Sequence, residues 1–99
     1  MAEEAVGYAR QLGQPATLAG ALVDLGIAVW GVPERRAEAF GHFDDALDIL
    51  RQLIAEHGPA QYGPTFADWV RWPIGEMLRI DGQFEKADAL TREAQTYTT

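Results

Sequence analysis

Cysteine is absent from the 99 residues, so disulfides and thiol chemistry are excluded, which fits a cytoplasmic chain. Cations are scarce: eight Lys and Arg stand against fifteen Asp and Glu, a net charge of −7. A nucleic-acid surface needs clustered Lys and Arg to displace phosphate counterions, and no such cluster exists. Acidity at this level chiefly serves solubility. Long apolar runs are missing too. A bilayer span takes roughly 20 residues, and the longest candidate, residues 18–32, is interrupted by Gly20, Asp24, Gly26 and Gly31. The start, Met1-Ala2-Glu3-Glu4, is acidic and lacks the basic opening of a signal peptide. No Gly-rich phosphate loop follows a strand, and no Ser, Cys or Thr sits in a nucleophile motif.

What is present is helical. An apolar fraction of 47% with 23% charged residues is ordinary for one globular domain, here residues 1–99, near the lower limit for a self-sufficient core. Five helical segments are expected. The first covers about residues 2–12 and ends at Gly13. Pro15 then occupies the first helical position, and Leu18, Leu22, Leu25 and Val29 line one face behind it. Gly31-Val32-Pro33 breaks that helix. A third segment restarts at Pro33-Glu34 and reaches about His57, with Phe40, Phe43, Leu47, Leu50 and Ile54 as its buried stripe. Residues 58–64, with two prolines and two glycines, read as a loop. The fourth segment covers about 65–80 and contains Pro73, which costs roughly 3 kcal/mol inside a regular helix. A kink over 69–73, or a helix that begins only there, is expected. The fifth covers about 83–95 on Phe84, Ala87, Leu90 and Ala94, with a threonine-rich end that frays.

Two spacings point to an internal repeat. Leu25-Gly26 matches Ile74-Gly75 at an offset of 49, and Ala39, Phe43 and Ala46 match Ala87, Thr91 and Ala94 at 48. A second step of 41 relates Arg10-Gln11-Leu12 to Arg51-Gln52-Leu53, and Ala5 to Ala46 and Ala87. The offsets 48 and 41 differ by about two helical turns, so a helical face alone does not choose between them. The first superposes first helix on first helix. It makes residues 2–13 the tail of a partial preceding repeat, 15–57 one hairpin and 64–97 a second. A chain that opens on half a repeat is expected to be a piece of a longer array, or to complete itself by self-association.

In residues 74–87, an aliphatic–Gly pair (Ile74-Gly75) is followed by Leu78, an Asp-Gly break at Asp81-Gly82, then Phe84 and Ala87. This pattern resembles the core of a tetratricopeptide (TPR) repeat, in the long form found in bacterial regulatory proteins. The resemblance covers about residues 15–94 and is sharpest at 74–87. It implies an all-α, short right-handed α-solenoid of TPR-like hairpins whose first helices line a groove for a peptide. Groove positions carried over by register are Gly20, Val23, Ile27 and Trp30 in the first hairpin, and Trp69, Trp72, Glu76 and Arg79 in the second. All three tryptophans fall at or beside that groove, and tryptophan is enriched among binding hot spots. The plainer alternative is that each tryptophan packs between helices. Glu76 and Arg79, three apart, can pair with each other, or Arg79 can grip a partner's carboxylate. A carboxylate-holding groove presents several Lys and Asn residues, which these positions lack, so a hydrophobic peptide or helix is the better fit.

Catalysis has thin support. His42 is three residues from Asp45 and can meet it on a helix, but zinc needs three or four converging ligands. His57, before Gly58, suits the carbonyl end of a helix. The resulting expectation is a non-catalytic protein–protein interaction module, an adaptor or the sensory or oligomerising part of a larger regulator, with no metal and no cofactor. It would take a protein or peptide partner, not nucleic acid or membrane, and would form a homo-oligomer, as a dimer, through its end helices. The alternatives are a domain binding an apolar small ligand between its hairpins, and a structural fragment that self-associates.

Overall fold

A computed structural model describes the backbone of residues 2–98 and every side chain among them except those of residues 2, 8, 9, 11 and 12. The Arg-Gln-Leu match therefore lies partly outside the described residues, at Gln11 and Leu12, as does Thr99 of the threonine-rich end. The protein is all-α, with no strand among the described residues. Two compact units divide it, Met1–Leu53 and Ile54–Thr99, and the division falls inside one helix.

In the first unit, α1 (Ala2–Leu12) ends at Gly13, whose φ of 66° reverses the chain. Gln14 is extended and Pro15 opens α2 (Pro15–Trp30), where a missing N–H costs nothing. α1 packs on α2. Of the expected α2 stripe, Leu22, Leu25 and Val29 are buried, whereas Leu18 is half-exposed. Val32 is extended, and Pro33–Arg35 form one 3₁₀ turn leading into α3 (Arg36–His57). The Arg36 guanidinium holds this corner. It donates to the Trp30 carbonyl at 3.1 Å and covers the Trp30 ring at 4.8 Å. Phe43, Leu47 and Leu50 on α3 are fully buried. Phe43 sits directly against Gly26, where a Cβ would lie 2.8 Å from ring atom Cδ1. Small residues let the two helices approach and the ring fills the space beside them. On the surface Arg35 hydrogen-bonds Glu38 at 2.6 Å and Glu3 at 3.3 Å, which raises its pKa above the ordinary value. Both contacts are solvated, so they add little to stability.

The second unit departs from the expected loop over 58–64. Gly58, at φ 90°, takes the backbone conformation that ends α3, and Pro59 then opens α4 (Pro59–Trp69) at the first helical position. Its neighbour Gly63 is buried against Tyr97: a Cβ there would lie 2.7 Å from the Tyr97 carbonyl oxygen. Pro64 lies inside α4 and removes a single backbone hydrogen bond. α4 packs on α6 (Phe84–Thr98), with Phe66 fully buried and edge-on to Tyr97 at 5.0 Å between ring centres. The Tyr97 hydroxyl donates to a Glu93 carboxylate oxygen at 2.7 Å.

Between α4 and α5 (Gly75–Ile80) the helix breaks as the proline anticipates. Trp72 is extended at φ −159°, ψ 131°, and the peptide bond to Pro73 is cis. α5 ends in a Gly-closed cap. The Gly82 N–H donates to the Arg79 carbonyl at 3.0 Å and the Gln83 N–H to the Leu78 carbonyl at 2.8 Å, with Gly82 at φ 81°. Ala87, Leu90 and Ala94 of α6 are buried as expected. Phe84 is not: it is 59% exposed, because it stands in the first turn of α6 beside the cap.

Candidate interaction surface

The break at Trp72 creates the most exposed aromatic side chain of the three tryptophans. Val70, Pro73 and Ile74 all turn inward, while the single extended residue among them carries its indole outward, 61% exposed. Trp69, one turn earlier on α4, is half-buried. Arg71 is exposed and its guanidinium lies 3.2 Å from an Asp68 carboxylate oxygen. Glu76 is exposed as expected, but the ion pair of Arg79 runs to Asp88 on α6, at 3.7 Å, instead of along its own helix to Glu76. Arg71 and Arg79 both line a groove of about 320 Å³ with Asp68, Ala67, Thr91 and Gln95. Each guanidinium already faces a carboxylate. The groove is thus of mixed charge, suited to peptide dipoles more than to a net charge.

The expected residues of the first unit are placed differently. Val23 is 5% exposed and offers a partner almost no surface, because α2 is buried on most of its circumference. Ile27 and Trp30 are half-buried. Trp30 meets Phe40 edge-on at 5.5 Å under the Arg36 guanidinium, so its ring closes the α2–α3 corner. Gly20 faces open space, with no atom within 4 Å of a would-be Cβ. Val23, Ile27 and Trp30 thus belong to one unit, and Trp69, Trp72, Glu76 and Arg79 to the other.

Two further large apolar residues reach the surface, Ile80, which no motif marks, and Phe84, whose spacing points to the core. Ile80, at 62% exposure, and Phe84 flank the Asp81-Gly82 turn. The turn itself was the available signal, since large residues on either side of a tight reversal lie outside the helix–helix seam.

The histidines build no centre of their own. His57 has its Nε2 3.7 Å from a Glu56 carboxylate oxygen and its ring 6.0 Å from that of Tyr62. His42 is half-buried. Among the described residues no three His, Asp or Glu side chains converge in a way that would hold a metal ion. No helix among them is long and apolar enough to cross a membrane. Comparison with protein-family models, curated proteins and solved structures finds no match to this chain. Any functional reading rests on its own residues.

Proposed function

We propose that the chain is a non-catalytic protein–protein interaction module of TPR-like, solenoid-forming design, and that Trp72 is its principal contact. The observation that carries this reading is the outward indole, 61% exposed and fixed between the buried residues Val70 and Pro73. A rigid, exposed tryptophan supplies large contact area at small entropic cost, the common character of a binding hot spot. Support for the TPR-like design comes from residues 74–87. Ile74, Gly75, Leu78 and Ala87 are buried, and Gly82 closes the turn between α5 and α6. Trp69, Glu76 and Arg79 surround the contact in this reading, and a cytoplasmic setting belongs to the same proposal. Immobilised wild-type chain and Trp72→Ala, matched by circular dichroism, test it by capture from lysate. Partners retained by the wild type are lost from the variant. Equal recovery by both contradicts the assignment.

A further inference from the structure

A second surface belongs to the first unit. The α1–α2 turn and the middle of α3 enclose a groove of about 320 Å³ with Pro15, Leu18 and Ile49 as its apolar floor. Its rim carries Arg10, Gln14 and Gln52. That volume is at the small end of the roughly 300–1,000 Å³ typical of ligand pockets, enough for one or two large side chains. Leu18 and Ile49 are both half-exposed, so among the described residues this apolar face is only partly covered. Arg10 is exposed and has no ion pair among the described residues.

The second unit carries a matching projection. Ile80 and Phe84 are 62% and 59% exposed, and the Gly82 cap holds them on a rigid turn. Asp81 and Glu85 flank them, two carboxylates against the single ammonium of Lys86. Glu85 likewise has no ion pair among the described residues. An apolar knob with an acidic edge thus answers an apolar socket that carries one cation, Arg10, on its rim.

We infer that the occupant of the Leu18–Ile49 socket is a second copy of this chain, which inserts Ile80 and Phe84 and sets Glu85 against Arg10. Socket and knob are different surfaces, so the contact is heterologous. Each copy keeps one unused knob or socket, and association continues into chains or rings instead of stopping at a symmetric pair. Burial of two large apolar side chains drives it, and the charge pair fixes its register.

Sedimentation equilibrium over a concentration series tests this. The wild type shows an average mass that rises with concentration past that of a dimer. Phe84→Asp removes the knob and Ile49→Asp spoils the socket, so each alone stays monomeric. Mixed in equal amounts they retain one good knob and one good socket, and form a dimer that grows no further. Ile49 is half-buried, so a surface pair guards against misfolding of that variant. Arg10→Glu and Glu85→Arg each weaken association roughly tenfold, and the double variant restores it. A wild type that remains monomeric throughout overturns the inference, as does a mixture of the two apolar variants that shows no dimer. Neither result bears on Trp72, because Trp72→Ala leaves knob and socket intact.

Discussion

Gly26 and Gly75 each follow a large aliphatic residue, 49 positions apart in the sequence, and do different work. In the first unit Gly26 opens a gap between two helices, and the buried Phe43 ring fills it. In the second, Gly75 lies against the carbonyl group of Val70, five residues earlier in its own strand of chain, where the helix is broken at Trp72. One glycine serves packing between helices and the other serves a local backbone bend. The same aliphatic–Gly signature therefore marks a need for closeness without saying what comes close. The consequence reaches function, because the bend that Gly75 permits is the one that turns Trp72 outward.

The largest expected effect removes the packed ring from each unit. Phe43→Ala and Phe66→Ala each cost about 3–5 kcal/mol, since both side chains are fully buried. Chemical denaturation with hydrogen exchange assigned to each unit reads out the loss in α2–α3 or α4–α6. Next come the two glycines themselves. Gly75→Ala overlaps the Val70 carbonyl oxygen and presses on an Arg79 nitrogen at 3.2 Å. Gly26→Ala collides with the Phe43 ring. Overpacking of this kind costs about 1–3 kcal/mol. The variants separate on rescue: Phe43→Leu in the Gly26→Ala background recovers stability, whereas no single side-chain trimming recovers Gly75→Ala, because the obstacle there is backbone. Equal rescue in both backgrounds would erase the distinction.

A smaller effect tests the turn alone. Gly82→Ala meets no atom within 4 Å, so its cost is the left-handed conformation at φ 81°, about 1–2 kcal/mol. It should also misplace Ile80 and Phe84, weakening self-association. The smallest effect has the opposite sign. Gly20, inside α2 with open space around it, gains about 0.5–1 kcal/mol as alanine, seen as a modest rise in Tm.

Much of the fold was legible because its signals are local. Gly13 followed by Pro15, the Gly31-Val32-Pro33 corner and the Gly82 turn each state a backbone requirement that only a few residue types meet. The α3 stripe was legible by spacing at Phe43, Leu47, Leu50 and Ile54, which are buried, whereas Phe40 at its start is only half-buried, against Trp30. Residues 58–64 misled because proline has opposite meanings by register. Pro59 at the first helical position favours the helix that Pro64 merely perturbs, and register is not visible before the helix is known. The spacing of Phe84 with Ala87 points to the core, yet the cap beside it leaves Phe84 outside. The candidate site was less legible still. Arg79 pairs with Asp88 on the next helix, and Val23 is buried, and both are facts of tertiary packing that periodicity along one helix does not contain.

Trp72, the proposed contact, carries its indole outward. Acrylamide quenching of Trp30→Phe/Trp69→Phe, which leaves Trp72 as the sole tryptophan, reads both its exposure and its contact. The expected result is efficient quenching in dilute chain and protection once a captured partner is added. An indole already shielded in dilute chain, or one equally quenched with the partner bound, would show that Trp72 is not the contact.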